Sequence, residues 1–222
     1  MRRTIQQITV REPVSFKAGL ALQKQWAATL ENNDTKTARL IFLQHRPVYT
    51  LGRAIAKEHL LCSEVELAAR TGAEVVAADR GGSVTYHAPG QLTAYLLLNL
   101  KAWDLEIHKH LSKLESTAIE ALRPFGITGS RQDGMTGVWV SQNGAEPEKI
   151  CAIGVSARRW VTYHGLALNV NIDLKPFFEV VPCGLSKGVT SMARILEHEV
   201  PIPDVENMLA RAFAVVYAAQ LT

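Results

Sequence analysis

The stretch GVWVSQNGAEPEKICAIGV, residues 137–155, places two apolar runs on either side of a polar centre. Both runs contain the β-branched and aromatic side chains that favour strands, and the Asn-Gly pair between them is typical of a tight turn. We therefore predict a β-hairpin, followed by another strand in RWVTYHGLALNVNI (159–172). Successive strands without an intervening helix indicate a mixed α+β fold with largely antiparallel sheets flanked by helices, not a parallel βαβ repeat.

Outside the hairpin, five segments have the apolar spacing that predicts amphipathic helices. The second of them begins with a capping box, in which Glu66 follows the cap by three residues, and the third ends near Gly126. The predicted helix starts are Ser15, Ser63, Asp104, Ser191 and Asp204. The other predicted strands are RLIFLQH (39–45), EVVAA (74–78), SVTYH (83–87) and QLTAYLLLN (91–99).

Length and composition limit the classes of protein to consider. The chain has 222 residues, 47% of them apolar, and no Pro- or Ser-rich linker, so we expect one domain over residues 1–222. Its 24 basic and 21 acidic residues are spread along the chain, which argues against a nucleic-acid binder and is compatible with an acidic protein partner. No stretch reaches the roughly 18 apolar residues of a membrane span, and no apolar run follows the two N-terminal arginines, so we expect a cytoplasmic protein that does not bind membranes.

The cysteines supply a candidate nucleophile. Cys62, Cys151 and Cys183 are widely spaced without a Cys-x-x-Cys pair, so neither a disulfide framework nor a zinc site is indicated. Cys183 lies between a proline and a glycine, which predicts a thiol displayed on a loop, whereas the apolar neighbours of Cys151 predict a buried, inert one. Lys149 is the candidate cation to stabilise a thiolate. The alternative for Lys149 is a solvated residue at the start of a strand.

Two adjacent glycines follow an arginine in RGGSVTYHAPGQL (80–92). This is neither a dinucleotide fingerprint nor a phosphate loop. Gly81 and Gly82 would allow close approach of a ligand, and we expect their N–H groups to donate to its carbonyl or a developing oxyanion. Arg80 would then touch the ligand or order the loop. An ordinary Gly-Gly turn between strands remains an alternative.

The tetrapeptide VTYH occurs twice, at 84–87 and at 161–164. Strand periodicity places Thr85 and His87 on one face and Tyr86 on the other. In the second copy it places Thr162 and His164 opposite Tyr163. If both strands border one cleft, His87 and His164 would face it together. The alternative is that these side chains simply pack, with their polar atoms satisfied.

Several of these segments occur together, and in this order, in a known family. HRPVYTLGR (45–53), RGGSVTYHAPGQL, KICAIGV, WVTYHGLALNV (160–170), PCGL and VTSM (within 182–192) resemble the octanoyltransferases of lipoate biosynthesis, of the lipoate-protein ligase B type. That family belongs to the biotin/lipoate protein ligase-like superfamily. The resemblance implies the fold of that catalytic domain.

The resemblance also implies a reaction and its partners. The enzyme would move an octanoyl group from the phosphopantetheine thioester of acyl carrier protein to a lysine on lipoyl domains of 2-oxoacid dehydrogenases and the glycine cleavage H protein, needing neither ATP nor metal. Cys183 would carry the acyl group, with Lys149 lowering the pKa of its thiol. The implied acyl-binding residues are Arg80, Gly81, Gly82, Ser83, Val84, Thr85, Tyr86, His87, Ala152, Ile153, Gly154, Gly165, Leu166 and Ala167.

One residue departs from the family pattern, and three other functions stay open. Ala88 occupies a position where the family usually has glycine; its methyl group would narrow the site or strain a turn that needs positive φ, and we expect it to be accommodated. The other functions are an ATP-dependent lipoate or biotin ligase, a hydrolase that pairs Cys183 with His164 or His87, and a non-catalytic module that binds carrier proteins.

Overall fold

The structure is a computed structural model that describes residues 2–31, 36–56, 59–142, 144–181 and 188–222. Its helices are α1 (Phe16–Ala28), α2 (Glu64–Thr71), α3 (Ile107–Leu122), α4 (Met192–Leu196) and α5 (Ile202–Val216), with 3₁₀ segments at Arg123–Phe125 and Lys175–Glu179. Its strands are β1 (Thr4–Thr9), β2 (Thr37–Leu43), β3 (Val48–Leu51), β4 (Glu74–Ala77), β5 (Val84–His87), β6 (Gln91–Leu97), β7 (Ser130–Gln132), β8 (Met135–Val140), β9 (Glu148–Arg158), β10 (Val161–Asn169) and β11 (Gln220–Leu221). The mixed α+β prediction is confirmed.

Within the described ranges the larger sheet has eight strands, in the order β11-β1-β2-β6-β10-β9-β8-β7. From β2 to β7 all neighbours are antiparallel, whereas β1 runs parallel to both β2 and β11. Val138 lies opposite Cys151 in the β8–β9 pair, which confirms the predicted hairpin. The long pair β9–β10 forms the middle of this sheet, with eight consecutive partners from Val161–Arg158 to Leu168–Cys151.

The smaller sheet, in the part of the chain that the structure describes, has the order β4-β3-β5. Strand β3 pairs parallel with β4 and antiparallel with β5. Its own apolar cluster includes Tyr49, Leu67, Tyr86 and Phe177. Helix α2 and the 3₁₀ segment at Lys175–Glu179 supply part of that cluster, so this sheet has a core separate from that of the larger one.

Helices cover both faces of the larger sheet. On one face α3 and α5 contribute Leu114 and Phe213 to the main core, against sheet residues such as Phe42 and Leu166. On the other face α1 packs through Ala27 and adjoining residues against Tyr95 and other side chains of β2, β6 and β10. Among the described helices, none has the length and apolar character needed to cross a bilayer.

The helix starts follow from their caps. The hydroxyl of Ser15 accepts a hydrogen bond from Ala18 N at 3.2 Å, and Ser63 forms the predicted capping box with Glu66. Gly72 ends α2 in the left-handed conformation, which a glycine adopts without steric cost. Ser191 caps α4 as predicted.

Two predicted starts need correction. Helix α3 begins at Ile107 and not after Asp104, because the Asp104 N–H donates to Lys101 O in a preceding turn where Asp104 has a φ of 49°. Helix α5 begins two residues earlier than predicted, with Pro201 at its N-cap and Asp204 in the first turn. Proline fits such a position because the first N–H groups of a helix have no partner within it.

Candidate active site

A cavity of about 550 Å³ lies between the two sheets. This volume is within the usual range for small-molecule sites. The small-sheet side supplies residues 80–85 and His87, and the large-sheet side supplies Thr93, Tyr95, Lys149, residues 152–155, residues 164–167 and Asn169. The remaining lining residues are Phe16, Leu111, Gly134, Met135, Thr136, Phe177 and Val189.

The cavity follows the β9–β10 pair between Lys149 and Val155 on β9 and between His164 and Asn169 on β10. Ala152 lies opposite Ala167, Gly154 opposite Gly165, and Val155 opposite His164. Lys149 is six residues before Val155 in the same strand, and a strand rises roughly 3.3 Å per residue, so about 20 Å of strand separates the two ends. One end of the cavity is therefore marked by Lys149 and the other by His164.

Lys149 lines the cavity where a further segment joins the sheet. Its Nζ lies 4.6 Å from the centroid of the Trp139 ring, a cation–π distance. Its backbone N–H donates to Gly188 O at 2.9 Å, and its carbonyl accepts from Thr190 N at 3.0 Å. These bonds place residues 188–190 directly beside Lys149.

The second predicted catalytic residue, Cys183, lies outside the described residues. Val181 and Gly188, the nearest described residues on either side, both have backbone contacts near the cavity. Val181 N donates to His59 O at 3.0 Å, and the His59 ring hydrogen-bonds Ser83 Oγ at 2.6 Å. Gly188 contacts Lys149 as described above.

The two described cysteines differ in burial. Cys151 is fully buried, and burial raises the pKa of its thiol to about 12, so it stays protonated at neutral pH. The nearby Lys149 lowers that pKa only in part. Cys62 is half-buried against the core of the smaller sheet. The prediction of an inert Cys151 agrees with this burial.

The glycine loop is fixed on both sides. Arg80 is buried, and its Nη2 donates to Thr50 O at 2.6 Å while Nη1 donates to Gly81 O at 3.0 Å. Gly81 N donates to Val155 O at 3.0 Å, which ties the loop to β9. The expectation that loop N–H groups receive an oxyanion is therefore wrong for Gly81, because its N–H is already bonded. Arg80 both orders the loop and lines the cavity.

Tyr86 is the predicted acyl-binding residue that the structure places elsewhere. Its side chain points to the opposite face of β5 from Thr85 and His87, as strand alternation requires, and packs against Tyr49 and Phe177. The other thirteen predicted acyl-binding residues all line the cavity. The structure therefore brings the cavity residues of both VTYH copies together and leaves Tyr86 in the core of the smaller sheet.

His87 and His164 share the cavity with Tyr95. His87 Nδ1 hydrogen-bonds Gln91 Oε1 at 2.7 Å, and His164 Nε2 lies 3.0 Å from Asp79 Oδ1. His164 has a φ of 61°, which breaks strand alternation and turns its ring into the cavity. Burial lowers the pKa of both histidines, well below the usual value for His87, so both are neutral at pH 7.

A third buried histidine supports this end of the cavity. His45 Nε2 hydrogen-bonds the Tyr95 hydroxyl at 2.5 Å, and its ring lies 5.6 Å from that of His87. Burial lowers the pKa of His45 to about 4. No group of three metal-ligating side chains occurs among the residues that the structure describes, this cluster included.

Ala88 fits its position without backbone strain. Its φ is not positive, and its buried methyl group joins the core of the smaller sheet. The residue of this turn that does need glycine is Gly90, with a φ of 89°. An added Cβ there would lie 2.7 Å from Ile172 N. The expected accommodation of Ala88 therefore has a structural reason.

Sequence reasoning missed part of the lining. Val155, Asn169 and Val189 lie in segments that carried the family resemblance, which was a usable signal for them. The others are brought to the cavity by pairing and packing between distant segments, and no local pattern marked them. The missed lining residues are Phe16, Thr93, Tyr95, Leu111, Gly134, Met135, Thr136, Val155, Asn169, Phe177 and Val189.

Solved structures share this fold. The bipartite lipoate protein ligase of Thermoplasma acidophilum has a TM-score of 0.76 at 17% identity, covering 100% of this chain and 86% of that one. A lipoate-protein ligase A bound with ATP has a TM-score of 0.76 at 18% identity, covering 100% of this chain and 88% of that one. At these identities the likeness establishes the fold alone.

Sequence comparisons give the family. The model of the lipoyl protein ligase A/B catalytic domain matches residues 16–214. An octanoyltransferase of Bacteroides fragilis is 38% identical over 205 residues, covering 90% of this chain and 92% of the relative. One of Chloroflexus aggregans is 46% identical over 180 residues, covering 80% of each. The chain therefore belongs to the lipoyl protein ligase A/B catalytic domain family and, within it, to the octanoyltransferases, which makes it an acyltransferase.

Proposed function

We propose that this enzyme takes an octanoyl group from the phosphopantetheine thioester of acyl carrier protein onto Cys183 and passes it to a lysine of a lipoyl domain. The acceptors would be the lipoyl domains of 2-oxoacid dehydrogenases and the glycine cleavage H protein. The reaction would take place in the cytoplasm, and residues 1–222 would act as one catalytic domain. This transfer would be the first step of endogenous protein lipoylation.

The observation that carries the proposal is a cavity of acyl size with an ammonium group at one end. Lys149 lines it at the point where residues 188–190 join the sheet. Small and apolar residues, Ala152, Ile153, Leu166 and Ala167, line the stretch beyond. Burying each methylene of a fatty chain in such a slot is worth about 0.8 kcal/mol.

The residues suit transfer between a thioester and an amine. The Cys183 thiolate would attack the thioester carbonyl, and the phosphopantetheine sulfur would leave and take up a proton. The lysine amine of the acceptor would then attack the enzyme thioester, release the Cys183 sulfur and lose a proton. Lys149 would stabilise the thiolate in the first step and, when neutral, accept the amine proton in the second. A thioester is already activated, so no ATP is needed.

The geometry favours this reaction over a histidine-dependent hydrolase. His164 lies at the far end of the cavity from Lys149 and is hydrogen-bonded to Asp79. His87 is held by Gln91, and burial keeps the pKa of its ring well below the usual value. A base that activated the same nucleophile as Lys149 would have to lie near Lys149. Membership of the octanoyltransferases favours a transferase over an ATP-dependent ligase, and the need for ATP tests this choice.

Mapping the acyl group tests the proposal directly. The protein is incubated with octanoyl-acyl carrier protein, without acceptor and without ATP, and its peptides are analysed by mass spectrometry. We expect one octanoyl adduct, on the peptide that contains Cys183, and none on the buried Cys151. Adding a lipoyl domain should then move the adduct to that domain's lysine. An adduct on Cys151, the absence of any adduct, or a requirement for ATP would refute the proposal.

A further inference from the structure

The two ends of the cavity differ in the side chains that close them. Near Lys149 the lining includes Val189 and Asn169. The Asn169 side-chain amide donates a hydrogen bond to Thr190 O at 2.9 Å. The opposite end is lined by Phe16, Tyr95 and His164. Aromatic rings therefore form the end that lies away from the candidate catalytic lysine.

Between the two ends, the cavity is bordered by residues with small side chains. Ala152, Gly154, Gly165 and Ala167 follow one another along paired strands and all line it. Gly154 also lets the glycine loop pack closely, because an added Cβ would lie 3.0 Å from Gly81 O. A straight chain can therefore lie along these strands until it meets the aromatic end.

Phe16 is a fixed part of that end. It is the first residue of α1 and only 5% exposed. Its ring lies parallel to the His164 ring, with centroids 6.2 Å apart and an interplanar angle of 6°, and 5.6 Å from the His45 ring. It also packs against Val48 and Ala78 of the adjoining segments. The N-cap bond of Ser15 holds the helix turn that carries it.

The neighbours of Phe16 at this end are held by hydrogen bonds. The Tyr95 hydroxyl bonds His45, and His164 bonds Asp79. Truncating either would leave a polar partner without its bond. The Phe16 phenyl ring makes its contacts through packing alone, so its removal would lengthen the cavity without unpairing a polar group.

We propose that Phe16 determines acyl-chain length: its ring stops the methyl end of a chain whose carbonyl lies toward Lys149. The proposal rests on the function proposed above and adds the residue that limits its substrate. With the ring removed, each additional methylene would find an apolar place, and burying one is worth about a fourfold gain in affinity. A ten-carbon chain, with two more methylenes, would then gain roughly fifteenfold over an eight-carbon chain.

The test compares Phe16→Ala with the wild-type enzyme on octanoyl-, decanoyl- and dodecanoyl-acyl carrier protein. We expect the ratio of kcat/KM for decanoyl to that for octanoyl to rise about fifteenfold in the variant. Phe16→Leu, a smaller truncation, should raise it less and covers the case in which the alanine variant fails to fold. Thermal melting shows which variants are folded.

Phe177→Ala is the matched control, because Phe177 is also a buried phenylalanine of the lining but belongs to the core of the smaller sheet, with Val189. It should change the rates for all chain lengths together and leave their ratio unaltered. An unchanged ratio in the folded Phe16 variants would overturn the proposal. A shift in the Phe177 variant instead would also overturn it, since the chain would then lie in the reverse direction.

Binding of free fatty acids separates this proposal from the proposed function. Octanoate and decanoate are titrated calorimetrically into wild-type and Phe16→Ala protein, and their affinities are compared. If the wild-type enzyme transfers no octanoyl group, the proposed function fails and the ratio of affinities alone decides the role of Phe16. A ratio that rises only in the variant supports that role, and equal ratios refute it.

Discussion

Lys149 owes its position in the cavity to a glycine in the neighbouring strand. Gly137 has a φ of 129°, and a Cβ added there would lie 2.7 Å from Cys151 O and 3.3 Å from Lys149 Cε. The missing side chain therefore leaves room for the lysine stem, which reaches the face of the Trp139 ring. Packing against the indole orders the lysine side chain, so it loses little further entropy when it acts on a neighbouring group.

Replacing Lys149 by methionine is the sharpest test of this residue. The stem and its packing are retained and only the ammonium is lost, so octanoyl transfer should fall by roughly 10²- to 10⁴-fold, the usual contribution of a general acid or base. The rate is measured with octanoyl-acyl carrier protein and a lipoyl domain.

Lys101→Met is the matched control, because Lys101 Nζ also lies over an indole, 4.2 Å from the centroid of Trp160, but does not line the cavity. Its activity should equal that of the wild-type enzyme. Comparable rates for both variants would show that Lys149 has no catalytic role.

At the scale of elements, the turn between β5 and β6 links the small sheet to the large one. Gly90 N donates to Gln44 Oε1 at 2.7 Å, and its carbonyl accepts from Val170 N and Asn171 N. This turn therefore packs backbone against backbone, which only a residue without Cβ permits. Its neighbour Ala88 directs its methyl group into apolar packing.

Substitutions in this turn should have unequal effects on stability. Gly90→Ala forces a side chain into a left-handed backbone and against Ile172 N, and it should lower the free energy of unfolding by about 1–3 kcal/mol or more. Ala88→Gly, which restores the residue usual in the family, should cost about 1 kcal/mol or less through chain entropy and a lost methyl contact. Urea unfolding measures both. A larger loss for Ala88→Gly would contradict this account of the turn.

The sequence predicted elements well where local chemistry defines them. The capping box of Ser63 and Glu66, the β8–β9 hairpin and the long apolar strands all appear as expected. Strands β1, β3, β7 and β11 were missed. Strand β1 carries only two apolar residues among six, and β7 and β11 have three and two residues, so their pairing depends on distant partners and not on their own pattern.

The candidate site was predictable to the extent that motifs carried it. The glycine loop, both histidines of the VTYH copies and Lys149 do meet at one cavity. The aromatic end was not predictable, because Phe16 and Tyr95 are separated in sequence and are brought together by packing of α1 on β6 and β10. Tyr86 was wrongly predicted to line the site: it lies inside a motif that lines the cavity, but its side chain packs in the core of the smaller sheet.

For the whole molecule, buried neutral histidines link stability to pH. His110 is fully buried beside Tyr217, and burial lowers the pKa of its ring to about 3; for His45 the value is about 4. Between these values and the ordinary value of 6.5 the unfolded chain binds protons that the folded chain does not. Stability is therefore full above pH 6.5 and falls as pH decreases, by at most about 1.4 kcal/mol per pH unit for each histidine.

His110→Phe should make this dependence less steep. The variant removes a titrating group while keeping an aromatic ring beside Tyr217, whose centroid lies 5.9 Å away in the native protein. The free energy of unfolding, measured in urea at pH 8 and pH 5, should differ less between the two pH values in the variant than in the wild-type protein. Equal differences would show that His110 is not protonated preferentially on unfolding.

The cavity lies between two sheets that have separate cores, and this affects how the enzyme could be inhibited. A molecule held there touches residues of both sheets, so it binds the folded arrangement and has no equivalent site on an unfolded chain. Such binding at a concentration one hundred times Kd adds about 2.7 kcal/mol to the free energy of unfolding. A thermal-shift screen would therefore detect compounds that bridge the sheets, and under the proposed function those compounds would compete with the octanoyl chain.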